Sequence, residues 1–219
     1  MPRGALDRSI IYQRHDGRRF GVRTKRFVSL PNRHLAGIRY QLTAQDRSSR
    51  LVVSSDLVTA PEMDQNLPHD QRRSRTFGDD VLTSMGDDID GARVVRSFRT
   101  KQSGLTVAAG MDHEFGEGVN VVDTRVDDAR ARVVFDVTAP VNETVTIYKW
   151  LAYHYGDADA TDLRYRAEAS IVRARATGYD GVFKAHTRAM AAFWERSDVE
   201  WDGYPAAQQA VRFSLYSLL

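Results

Sequence analysis

The chain has 219 residues, 42% of them hydrophobic and 27% charged, a balance ordinary for a globular protein with a sizeable core. Its net charge of +2 gives no reason to expect nucleic acid as a partner, and the absence of Cys excludes disulfides, thiol catalysis and thiolate metal sites. No stretch approaches the roughly 20 apolar residues of a membrane-spanning helix, and Met1 to Ser9 lacks the apolar core of a signal peptide, so a cytoplasmic location is the expectation.

From Ser9 to His154 the pattern is mainly period two. Ile10–Arg14 and Phe20–Thr24 flank His15-Asp16-Gly17-Arg18, and Asp-Gly between two such runs predicts a hairpin. Leu35–Thr43 alternates, with Ala36, Ile38, Tyr40 and Leu42 on one face. Leu51–Ser54 reads as a short strand. Further strands are expected over Ala92–Thr100, Leu105–Ala109, Val119–Val122, Arg132–Val137 and Thr144–His154. Many strands joined by short polar turns predict an antiparallel sandwich rather than βαβ units. Lys149 and His154 interrupt the apolar run Ile147–Tyr155, which places that strand against the helical part.

Asp56–Asp80 is long, polar and charged, and is expected to be a solvated excursion or a loop packed on a partner. At Gly156–Ala160 the composition changes from β-branched residues to Ala, Arg and Glu at a helical period. Across Asp180–Ser197 the bulky residues Val182, Phe183, His186, Met190, Phe193 and Trp194 form one helical face. Tyr204-Pro205 opens a last helix, with Pro where its missing N–H costs least. That helix is apolar almost all round, as befits a helix inside a larger helical body, so the chain is expected to be a piece of a longer protein.

The residues that could carry chemistry resolve into no catalytic centre. Gly86–Gly91 hints at a calcium loop, but Gly stands first and Ser97 twelfth where acidic ligands are needed, so a polar turn is expected. Asp112-His113-Glu114 with Glu117 reads as a strand-end turn, and His15 as a hairpin tip. His186 reads as a hydrogen-bonded core histidine. Trp150, Trp194 and Trp201 could stack on sugar rings, though core packing is the expectation for each. No phosphate-binding loop, nucleophile elbow or His-Glu-x-x-His motif is present.

Arg26-Phe27-Val28-Ser29 followed by His34-Leu35-Ala36 resembles the N-terminal β-sandwich of glycoside hydrolase family 65. So do Asp16-Gly17-Arg18 before it and Arg99-Thr100 with Ser103-Gly104 after it. Lys149 with Tyr153-His154 is similar to the family's last sandwich strand. Gly178-Tyr179-Asp180 and Phe193-Trp194 resemble its linker helices, and Gln208-Gln209-Ala210 with Arg212-Phe213 the first helix of its (α/α)6 barrel. The resemblance implies a mainly β fold with α: an antiparallel, galactose mutarotase-like supersandwich over residues 1–157, a helical linker over 158–203, and over 204–219 the first helix of a missing catalytic barrel. Arg3-Gly4-Ala5-Leu6-Asp7 resembles a stretch well inside the family's sandwich, so the first strands are expected to be missing too. An incomplete sheet would leave open edges and uncovered apolar faces.

The family's phosphorylases cleave an α-glucosidic disaccharide with phosphate, inverting, to glucose 1-phosphate and glucose. A barrel Glu is the acid and bound phosphate the attacking oxygen; other members are hydrolases. The resemblance implies that the full-length parent is such an enzyme and a homodimer, with phosphate as co-substrate and no other cofactor. It assigns no catalytic, cofactor or metal residue within these 219, so the chain alone is expected to be inactive. A stand-alone carbohydrate-binding sandwich and a trehalase-type hydrolase are the alternatives.

Overall fold

The computed structural model describes residues 3–59, 81–200 and 203–219. Ten strands precede three helices: β1 (Ala5–Gln13), β2 (Arg19–Val28), β3 (Leu35–Ala44), β4 (Ser49–Val58), β5 (Leu82–Asp90), β6 (Arg93–Thr100), β7 (Thr106–Phe115), β8 (Val119–Val126), β9 (Arg130–Ala139), β10 (Thr144–Gly156), α1 (Ala160–Thr177), α2 (Tyr179–Ser197) and α3 (Pro205–Tyr216). They make two antiparallel sheets: seven strands in the order β1-β2-β3-β10-β7-β6-β5, and three in the order β4-β9-β8. This is the sandwich followed by helices that the alternation and turn residues predict.

Local chemistry sets the turns. At the β1–β2 hairpin, Gly17 takes φ 81° and Asp16 accepts hydrogen bonds from the backbone and side chain of Arg18. His15 sits at that tip, as expected. Several strands run longer than their sequence signals, among them β4, β7, β8, β9 and β10, because partners on the ladder hold residues that local propensity leaves undecided. Gly86–Asp90, expected to be a polar turn, is instead part of β5. Asp87 lies opposite Arg96 and bonds it at 2.9 Å, and the ladder absorbs Gly86 as an irregularity after Ser84. Asp112-His113-Glu114 is likewise no strand-end turn. All three lie within β7, paired to β10 on one side. Glu117 alone of that group lies in the turn that follows.

β10 is inserted between β3 and β7 and separates two cores. Its odd positions, Val145 and Ile147, meet Met111, Val133, Phe135 and Val137 between the sheets. Its even positions, Trp150 and Ala152, meet Leu163, Ala167 and Ile171 of α1 and Val182 of α2. The seven-stranded sheet is therefore covered by the small sheet on one face and by helices on the other. This accounts for the nearly continuous apolar run of β10. α1 begins on the Asp159 side chain, which accepts from the Thr161 amide at 2.8 Å, and ends where the Gly178 N–H returns to Ala174. Gly110 lets α1 approach closely: a Cβ there would stand 3.0 Å from Ile171 Cδ1.

α2 buries Tyr179, Val182, His186 and Met190, the face its periodicity predicts. His186 is a core histidine: its Nδ1 accepts from the Leu30 amide at 3.2 Å, and Nε2 donates to the carbonyls of Arg3 and Gly4. Trp150 is fully buried and Trp194 half-buried, while Trp201 lies outside the described residues. Of the segment Asp56–Asp80, Asp56 to Val58 finish β4 and residues 60–80 lie outside the described residues. α3 buries none of its residues, and Phe213 is exposed.

Candidate functional site

The small sheet does not reach across the whole large one. β4 is its edge on the side of β1, β2 and β3, and beside it runs an open groove of about 600 Å³. The floor is apolar, with Ile10, Tyr12, Val22 and Leu42, while Arg8, Arg14 and Arg26 stand along it. The groove leads, over the shared residues Ile38, Tyr40, Val52 and Val53, into an adjoining cavity of about 430 Å³ between β4, β9, β7, β10 and β3. Polar side chains are concentrated at that inner end.

Ser55 of β4 and His113 of β7 meet across the sheets, Oγ to Nε2 at 2.8 Å. His113 Nδ1 is 3.0 Å from the Ala92 carbonyl oxygen, which can only accept, so Nδ1 carries the proton and Nε2 accepts from Ser55. Burial holds the imidazole neutral, with its pKa pushed down to about 4; the Ala92 bond opposes that shift, while Lys149 and Arg175 add to it. Phe135 closes the ring edge-on at 5.0 Å.

Lys149 lies opposite His113 in the β10–β7 register, so both side chains emerge on the same face. Its Nζ donates to the Asp56 carbonyl at 2.7 Å. Desolvation pushes its pKa down to about 8, against the opposing charge of Asp56. The Asp56 carboxylate is held at 2.8 Å on both oxygens by the Arg132 fork and stays below the usual carboxylate range. The Tyr40 hydroxyl also lines the cavity, its pKa raised by burial.

On the opposite face of the large sheet, Asp112 is buried and pairs with Arg175 of α1 at 2.7 Å, while Glu114 accepts from Trp150 Nε1. Asp112 ties α1 to the sheet, while the Glu114 bond joins β7 to β10 within it. Alternation along β7 thus sends Asp112 and Glu114 one way and His113 the other, so the trio forms no common site. Among the described residues no group of His, Asp and Glu has metal-binding geometry. His34 and His154 stack at 4.1 Å, with His154 Nε2 bonded to Ser170 and His34 Nδ1 to the Tyr153 carbonyl. Sequence reading noted Lys149 as an interruption but missed Ser55, whose only signal is a polar residue on the inward face of a strand.

The glycosyl hydrolase family 65 N-terminal domain matches residues 1–193. The chain belongs to glycosyl hydrolase family 65. It is 32% identical to an uncharacterized glycosyl hydrolase of Mycobacterium leprae, over 99% of this chain and 27% of that protein. It is 24% identical to the α,α-trehalose phosphorylase of Thermoanaerobacter brockii, over 100% of this chain and 28% of that protein. A solved structure named "Putative kojibiose phosphorylase from human microbiome" superposes with a TM-score of 0.83 at 14% identity, over 99% of this chain and 27% of that one. The family 65 chain described here thus spans little more than a quarter of these proteins. Among its described residues no helix is long and apolar enough to cross a membrane.

Proposed function

We propose that this chain is the non-catalytic sandwich and helical part of an enzyme that cleaves an α-glucosidic disaccharide with phosphate, inverting the anomeric carbon, to glucose 1-phosphate and glucose. The observation that carries the reading is the likeness to α,α-trehalose phosphorylase across the whole of this chain. The reaction needs an acid for the leaving oxygen and room for phosphate on the opposite face of the sugar. The carboxylates of β7 and the end of β4 do not offer the acid: Asp112 and Glu114 are committed to Arg175 and Trp150, and Asp56 to Arg132. The acid and the phosphate site belong, on this reading, to the three-quarters of the relatives' length outside this chain. The sandwich then serves as the platform on which a helical catalytic domain is built, with exposed Phe213 of α3 part of the joint. The parent is a cytoplasmic homodimer with phosphate as its co-substrate.

The test is to incubate the full-length gene product with trehalose, kojibiose, nigerose and maltose, with and without phosphate. Phosphate-dependent release of glucose 1-phosphate is expected from one of them, and the 219-residue chain should release none. A second reading, hydrolysis, is favoured by the M. leprae relative, whose name is that of a glycosyl hydrolase. Glucose released at the same rate without phosphate would establish it, with a second carboxylate activating water.

A further inference from the structure

One end of the cavity holds a cation, Lys149, balanced only at longer range by the Asp56 carboxylate. Lys149 Nζ makes one hydrogen bond, to a backbone carbonyl, and an ammonium has three N–H groups to satisfy. Among the described residues no carboxylate lies within ion-pairing distance of it. Asp56, the nearest acidic residue along its surroundings, is clamped by Arg132 at 2.8 Å and approached by Arg130 at 3.9 Å. A partly desolvated cation whose nearest carboxylate is already shared with two arginines is incompletely balanced, and a bound partner of opposite sign completes the balance. Tyr40 lines the same space. Ser55 has committed its proton to His113, and its oxygen remains able to accept.

Beside Ser54, Ser55, Asp56 and His113 the wall carries the apolar side chains of Ile38, Val52, Val53, Phe135 and Ile147. Its volume, about 430 Å³, suits a small organic molecule rather than a bare ion. The approach runs along the groove past Arg8, Arg14 and Arg26, a field that favours anions. We propose that this cavity is a binding site for a small organic anion, its carboxylate or phosphate-ester end on Lys149 and Tyr40 and its apolar body against Phe135 and Ile147. The site lies in the sandwich itself and stands whichever reaction the parent enzyme performs. Binding completes the balance of the Lys149 charge and bridges β10, β3 and β9, so the ligand also stabilises the sandwich.

The experiment uses the 219-residue chain, reductively methylated with ¹³C so that each lysine gives an NMR signal. Benzoate, phenyl phosphate, acetate and inorganic phosphate are titrated in turn. Benzoate or phenyl phosphate should shift the Lys149 signal saturably while Lys25, Lys101 and Lys184 stay in place, and which binds tighter tells carboxylate from phosphate ester. Acetate and inorganic phosphate should bind at least about tenfold more weakly, since they lack the apolar body. Lys149→Met should abolish the binding, and Tyr40→Phe, which keeps the packing, should weaken it several-fold. No saturable shift at Lys149 would overturn the proposal. So would equal affinity for all four anions, or unchanged binding in Tyr40→Phe and Lys149→Met. Should Lys149→Met fail to fold, the Lys149 signal and Tyr40→Phe decide the matter alone.

Discussion

Lowering the pH should weaken the sandwich through His113, and the size of the effect follows from its surroundings. The ring is 2% exposed, accepts the Ser55 proton on Nε2 and has its other nitrogen bound to Ala92. Its folded pKa, about 4, lies below its unfolded value of 6.5. A depressed histidine contributes its stability above the unfolded pKa and loses it as the pH falls from 6.5 towards 4. At about 1.4 kcal/mol per pH unit, the loss between about pH 7 and pH 4.5 is about 2 kcal/mol. Protonation also makes Nε2 a donor facing a hydroxyl that was donating to it, so the Ser55 bond must reverse. Urea denaturation at several pH values, comparing the protein with His113→Gln, measures this. The difference in slope between the two should fall in that window, because the carboxylates held low by arginines, Asp56 and Asp136 among them, lose their contribution only below about pH 4. An identical pH dependence in both proteins would refute the assignment of the burden to His113.

Other outcomes follow from the packing. Ser55→Ala leaves the buried Nε2 of His113 without its donor and should cost about 1–2 kcal/mol in urea denaturation. Trp150→Ala empties a fully buried site at the junction of β10, α1 and α2, and a loss of about 3–5 kcal/mol in denaturant midpoint analysis is expected. Gly37→Ala would bring a Cβ to 2.9 Å from the Phe27 ring and 3.1 Å from Trp150, so overpacking should lower stability by about 1–3 kcal/mol; a neutral effect on thermal unfolding would show that the rings can yield. Arg175→Met strands the buried Asp112 carboxylate and should lower the melting temperature, whereas the double change with Asp112→Asn should recover part of the loss in a double-mutant cycle.

The strands and helices were largely legible because their signals are local. Period two in Leu35–Thr43 and the helical face from Val182 to Trp194 arise from neighbours along the chain, and β3 and α2 form where those periods run. The misreadings share one cause. Gly86–Asp90 and Asp112–Glu114 carry turn-like polar residues, and each becomes strand because the ladder to β6 or β10 supplies partners that the local sequence does not reveal.

By itself the sequence determined the sandwich class, the succession of elements, the helical faces and the family likeness, all properties of short windows and their order. Only the tertiary structure decided the cavity. Ser55 and His113 are 58 positions apart, and Asp112 and Arg175 63 apart, so neither pair leaves a trace in any local pattern. Ser55 and His113 meet because the small sheet folds over the large one, and Asp112 and Arg175 because α1 covers the opposite face. Strand order chooses which inward-facing polar residues become neighbours, and burial then gives Lys149 and His113 properties that their identities alone do not carry.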